Sequence, residues 1–176
     1  MYKLSDGGAS KGARVQLLGS GTILREVMAA AELLKKEWGV TADVWSCPSF
    51  NELRRDGVAC ARWNLLHPTD KPRASHVEQC LGSTQGPVIA STDYMRTFAD
   101  QIREFVPRRY KVLGTDGFGR SDSRENLRRF FEVNRYYVAV AALKALAEDG
   151  EVPAAKVAEA IKKYGIDVDK PAPWTV

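Results

Sequence analysis

The chain switches repeatedly from a short apolar run to a polar or glycine turn and then to apolar residues at helical spacing, and few folds accommodate that alternation. "RVQLLGSG" (14–21) is the kind of run a central parallel strand gives, and Gly19, Ser20 and Gly21 halt it. From Thr22 the period changes. Ile23, Val27, Ala30, Ala31, Leu34 and Trp38 recur at three- and four-residue steps, and Gly39 stands where a helix C-terminal glycine belongs. The unit recurs in kind: "TADVWSC" with "SFNELRRDGVACARWN", a helix that Gly57 is placed to interrupt, then "GPVIAS" with "DYMRTFADQIREFV", ended by Pro107, then "YKVLGT". The pattern predicts strands at 15–19, 43–47, 87–91 and 110–114, with helices starting near Thr22, Ser49, Asp93 and Ser123. Strands alternating with helices of this length require right-handed crossovers, hence a three-layer, doubly wound α/β fold with a mainly parallel sheet covered on both faces. Two further helical patterns, "RYYVAVAALKALAEDG" and "PAAKVAEAIKKYG", lie within 135–164 and precede a proline-rich, extended end, "DKPAPWTV".

Length and composition bound this picture. With 176 residues, 44% hydrophobic and 27% charged, the chain supports one globular domain, expected over 14–176. Residues 1–13, rich in Gly, Ser and Lys, read as a linker or tail. No run approaches the roughly 20 apolar residues that span a bilayer, and "MYKLSDGGASKGAR" has no signal-peptide core, so no membrane association and a cytoplasmic location are expected. Cys47, Cys60 and Cys80 are odd in number and at least thirteen residues apart, which suggests reduced thiols rather than a disulfide framework or zinc site. The net charge of +4 is scattered in pairs at 54–55, 108–109 and 162–163, unlike the concentrated basic face of a nucleic-acid binder.

Catalytic groupings are scarce. His67 and His76 are not at the i, i+4 spacing of a histidine ligand pair, "GSGTIL" lacks the third glycine of a dinucleotide fingerprint, and no phosphate-loop motif occurs. No metal site is predicted. The polar stretch "VLGTDGFGRSDSRENLRRFF" (112–131) has two readings. A glycine-rich turn feeding a helix N-terminus presents open N–H groups to an anion. Alternatively the turn is structural, with Asp122 and Glu125 forming a D-x-x-E capping box and Arg120, Arg124 and Arg128 neutralised by Asp116, Asp122 and Glu125. "GSGT" (19–22) divides in the same way, with Ser20 or Thr22 as a structural cap, and one of Ser91, Thr92 and Asp93 is expected to cap the next helix. The candidate residues for an anion-binding or structural loop are therefore Gly19, Ser20, Gly21, Asp116, Gly117, Gly119, Arg120 and Arg124. Parallel strands would gather them at the carboxyl edge of the sheet, where such folds place their crevices.

Five stretches, "VQLLGSGTILREV" (15–27), "RWNLLHP" (62–68), "ASTDYM" (90–95), "VLGTDGFGRSDSRENLR" (112–128) and "YYVAVAAL" (136–143), together resemble the C-terminal domain of the homodimeric bacterial pyruvate dehydrogenase first component. That family is of the thiamine diphosphate-dependent, transketolase-like type, so the resemblance implies a five-stranded, mainly parallel sheet. It implies thiamine diphosphate and magnesium in the intact enzyme, held in another domain by a G-D-G motif and an asparagine pair. Here only Thr115-Asp116-Gly117 comes near, and no Asn-Asn occurs. The family's catalytic glutamate and histidines also lie upstream, so no catalytic or cofactor-binding residue carries over, and the isolated chain is expected to be inactive. The implied partners are the rest of the first component, a second copy in a homodimer, and the lipoate acetyltransferase component. "MYKL" resembles an internal stretch of the family, so Met1 is not expected to be a natural start. A non-catalytic docking, dimerisation or regulatory ligand-binding module is the alternative, resting on the basic "RRDG" and "PRRY" stretches.

Overall fold

A computed structural model describes residues 1–9 and 12–176. Its centre is a five-stranded sheet of β1 (Tyr2–Ser5), β2 (Arg14–Gly19), β3 (Thr41–Ser46), β4 (Val88–Ser91) and β5 (Tyr110–Leu113), in the order β1-β3-β2-β4-β5. β3, β2, β4 and β5 are parallel, as the alternation requires, and β1 is added antiparallel to β3 at the edge. The stretch expected to be a linker or tail thus contains a strand. Its signal is weak because the Tyr2-Lys3-Leu4-Ser5 alternation is only four residues long, and all four residues are exposed. Its ladder to β3 holds it, and beyond it the Asp43 carboxylate of β3 accepts from the Gly7 N–H at 2.9 Å and from Arg14 Nη1 of β2 at 2.6 Å.

Two cores result from the side-chain alternation of the buried strands. Val15, Leu17, Val44 and Ile89 face α1 (Leu24–Trp38), α6 (Arg135–Glu148) and α7 (Ala154–Lys163). Leu18, Trp45, Val88 and Ala90 face α2 (Phe50–Leu66), α3 (His76–Leu81) and α4 (Arg96–Asp100). A further helix, α5 (Arg124–Phe130), follows β5 at the carboxyl edge. α1 ends at Gly39 with φ +66°, the left-handed conformation glycine adopts without cost.

Local outcomes differ from the periodicity in three places. α2, capped by Ser49 accepting from the Glu52 N–H at 3.2 Å, runs unbroken through Gly57. The glycine serves packing instead, because a Cβ there would lie 2.3 Å from the buried ring of Phe105. α3 has no counterpart in the periodicity, although Ser75 and Glu78 form a complete capping box ahead of it. The helix expected from Asp93 to Val106 is shortened to α4 plus a 3-10 turn at Arg103–Phe105. Its first residues are drawn into the sheet edge, where the Tyr94 carbonyl accepts from the Thr115 N–H at 2.8 Å.

Gly57→Ala checks the role of this packing. An exposed helical glycine replaced by alanine gains stability, but here the clash with Phe105 is expected to reverse the sign and cost about 1–3 kcal/mol in urea unfolding. A stabilised variant would show that Phe105 yields.

Candidate functional site

Parallel register brings the polar loops together at the carboxyl edge of the strands. Ser20, after β2, donates from Oγ to Thr92 Oγ1 after β4 at 2.9 Å, and Thr22 Oγ1 donates to Asp93 Oδ2 at 3.2 Å. Neither Ser20 nor Thr22 caps a helix, and none of Ser91, Thr92 and Asp93 caps α4. They bond to each other across the strand ends, 71 and 72 residues apart in sequence, a pairing no local pattern predicts. Gly21, at φ +53°, sits against the Asp93 carboxylate. Around these groups opens a crevice of about 420 Å³, lined among others by Ser20, Gly21, Asn51, Asp93, Tyr94 and Phe98.

The loop after β5 completes this edge. Asp116 reaches back to the start of α4, where Oδ1 accepts from the Arg96 N–H at 2.9 Å and Oδ2 lies 3.4 Å from Arg96 Nε. It supplies the cap that Ser91, Thr92 and Asp93 do not. Gly117, at φ +103°, lets the chain pass the Pro173 carbonyl of the C-terminal turn (Pro173–Thr175), where a Cβ would lie 2.6 Å away. Gly119 has open space around it. The expected Asp122–Glu125 capping box does not form: Ser123 alone caps α5, accepting from the Asn126 N–H at 3.3 Å, while Asp122 Oδ1 accepts from the Ser123 N–H at 2.6 Å and from Asn126 Nδ2 at 2.8 Å. Those hydrogen bonds lower the Asp122 pKa below the ordinary carboxylate value.

The arginines of this stretch separate. Arg120 lies over the Phe130 ring, 4.4 Å from its centre, while Arg124 lines a different cavity beside α6. Among the described residues, Asp116, Asp122 and Glu125 make no ion pair with Arg120, Arg124 or Arg128, contrary to the expected self-neutralised turn. Arg128 instead reaches Glu26 of α1 at 3.0 Å, where Arg135 also bonds the same carboxylate through its backbone N–H, Nε and Nη2 at 3.0–3.1 Å. This clamp joins residues 102 and 109 positions apart. Its one local trace is an acid in the first turn of an otherwise apolar helix face.

Other chemistry-bearing groups are occupied. Burial pushes the Cys47 thiol up to about 12, which removes it as a nucleophile near neutrality. His67 stacks on Trp63 with ring centres 4.4 Å apart, and His76 Nε2 contacts the Met1 carbonyl at 2.7 Å. Among the described residues no three His, Cys, Asp or Glu side chains gather as a metal site would require.

Comparison with known proteins agrees with this architecture. The family model described as the transketolase-like TK C-terminal domain matches residues 1–134. The chain belongs to that family. Among curated relatives, the pyruvate dehydrogenase E1 component of Cupriavidus necator is 66% identical over the whole chain. That of Pseudomonas aeruginosa is 63% identical and that of Escherichia coli 56%, each over 98% of the chain. The chain spans about a fifth of the length of these relatives, 19–20% in each case. Solved structures share the fold at lower identity. A transketolase from Pichia stipitis superposes with TM-score 0.55 at 20% identity, covering 85% of this chain and 18% of that one. A split-gene transketolase, titled an inactive beta4 tetramer, gives 0.54 at 18% identity, covering 82% and 44%.

Two substitutions probe this transketolase-like edge. Asp116→Ala removes an acceptor from the first N–H of α4 and is expected to cost about 1 kcal/mol in denaturant unfolding. For Glu26, burial works to raise the pKa, but hydrogen bonds and charge from Arg135, with the charge of Arg128, outweigh it and hold the carboxyl below its ordinary 4.5. A depressed folded-state value stabilises fully above about 4.5 and is lost as pH falls through that lower value. Glu26→Gln is therefore expected to lower stability at pH 7 by about 2–3 kcal/mol and to flatten the acid limb of the stability profile below pH 4.5. An unchanged acid limb would dissociate the clamp from acid unfolding.

Proposed function

We propose that this chain is the C-terminal domain of a thiamine diphosphate-dependent pyruvate dehydrogenase of the acetyl-transferring type, and that its task there is contact and shape rather than catalysis. The observation that carries this reading is the 66% identity to a pyruvate dehydrogenase E1 component across the whole chain. The intact enzyme would decarboxylate pyruvate and pass the two-carbon unit to a lipoyl group of the acetyltransferase component, whose disulfide is reduced as the acetyl thioester forms. Thiamine diphosphate would supply the carbanion chemistry, with magnesium on its diphosphate.

The residues of this chain do not fit that cofactor. Asp116, in the string nearest a G-D-G motif, has both carboxylate oxygens directed at Arg96. The cofactor and its metal are therefore assigned to the rest of the enzyme. Large apolar side chains left at the surface support a contact role: Leu65 and Leu66 at the end of α2, and Phe118, 82% exposed, in the loop after β5. The alternative of an independent docking module loses part of its basis, because Arg109 is tied to Asp149 at 2.6 Å and to Glu148 at 2.9 Å, while Arg108 bonds the Thr84 carbonyl.

Two measurements with pyruvate, thiamine diphosphate, magnesium and an artificial electron acceptor test the proposal. The purified chain alone is expected to give no turnover. The Cupriavidus necator relative, truncated of the matching segment, is expected to lose its activity and to regain part of it when co-expressed with this chain. Turnover by the chain alone, or full activity of the truncated relative, would sink it.

A further inference from the structure

The Glu26 clamp leaves positive charge over. One carboxylate, almost wholly buried, is shared by two guanidinium groups, and Arg135 Nη1 with Arg128 Nε and Nη2 have no bond partner among the described residues. Arg124 lies one turn before Arg128 on α5 and has no ion-pair or hydrogen-bond partner among the described residues either. Like charges at i, i+4 repel unless an anion sits between them.

These groups line a cavity of about 500 Å³ between α1, α5, α6 and the end of α7. Its charged lining is completed by Glu125 and by Arg129, whose Nη2 donates to the Gly165 carbonyl at 3.0 Å, so four arginines face two glutamates. The remaining wall is mostly aromatic, with Asn134 beside it. Tyr136 and Tyr164 lie with ring centres 4.9 Å apart, tilted 36°, next to Tyr137 and Ile166. The volume is in the range of small-molecule sites, and planar guanidinium forks held by a buried anchor suit bidentate contact with phosphate or carboxylate.

We propose that this cavity binds a small organic anion, its phosphate or carboxylate head on the open donors of Arg124, Arg128 and Arg135 and its flat unsaturated body against Tyr136 and Tyr164. Arg124 and Arg128 also line an adjoining hollow with Thr22 and Asp93, so the site borders the Ser20–Asp93 edge, and its existence does not depend on the enzyme assignment above.

Thermal unfolding and titration calorimetry of the 176-residue chain at constant ionic strength test it, with inorganic phosphate, phenyl phosphate and benzoate as probes. At least one aromatic probe is expected to bind and to raise the melting temperature by mass action, and to do so more strongly than inorganic phosphate. Phenyl phosphate against benzoate tells which head group the arginines prefer. Arg124→Gln, whose side chain holds no partner, is expected to keep its own melting temperature and to weaken binding roughly tenfold or more, since a charge-assisted hydrogen bond is worth about that factor. Tyr136→Leu is expected to remove the advantage of the aromatic probes. Failure of all three probes to bind, binding equal in wild type and Arg124→Gln, or inorganic phosphate matching phenyl phosphate would each overturn the proposal.

Discussion

The Asp43 carboxylate, buried in the middle of the sheet, is the interaction on which the arrangement of the N-terminal half depends. A charge in that position is costly unless it is fully hydrogen-bonded, and Asp43 takes its donors from two segments, Gly7 beyond β1 and Arg14 with Gln16 in β2. Gln16 passes the constraint on. Its Nε2 also donates to the Gln85 carbonyl at 3.1 Å, and its Oε1 accepts from Trp45 Nε1 at 2.8 Å. The polar chain thus ties the edge strand, the β2–β3 register and the turn entering β4 to one point. A one-residue slip of β3 would turn Asp43 toward the opposite core and orphan all of these donors.

The same two-sided burial explains what is legible in the residues. Where a run such as Val15–Gly19 is covered on both faces, apolarity marks the strand, and the change to helical spacing at Ile23 marks the helix that packs on it. β1 escapes such a reading because a four-residue, fully exposed edge strand beside glycines offers too short an alternation to stand out. The candidate loops are legible as a place, since parallel strands must bring Ser20, Thr92 and Asp116 to one edge. They are not legible as a set of bonds. Ser and Thr that look like helix caps have the same composition whether they bond the next turn or a hydroxyl 72 residues away.

Acids among arginines are ambiguous in the same manner. Asp116 and Asp122 stand close in sequence to Arg120 and Arg124, and proximity suggests cancellation. Backbone N–H groups compete for the same carboxylates and win here, because a helix start and a tight turn offer donors fixed in place, whereas an arginine must lose side-chain freedom to pair. The arginines are thereby released to other partners, Arg128 to the distant Glu26 and Arg120 to the nearby Phe130 ring.

α5 consequently has two unlike ends. Its N-terminal end is a brace in which Asp122, Ser123 and Asn126 satisfy each other locally, and it asks nothing of the rest of the molecule. Its other polar face is joined to α1 and α6 through a carboxylate that would be costly to bury alone, so this charge contact fixes the helix on the domain together with Leu127 and Phe130, which pack half-buried against the core. A helix seated in that way holds Arg128 in place while leaving part of its guanidinium fork open. That combination of fixed position and unused donors distinguishes the cavity beside Glu26 from the solvated charge elsewhere on the surface, where pairs such as Lys36–Glu32 and Arg55–Glu52 sit in water and organise nothing beyond themselves.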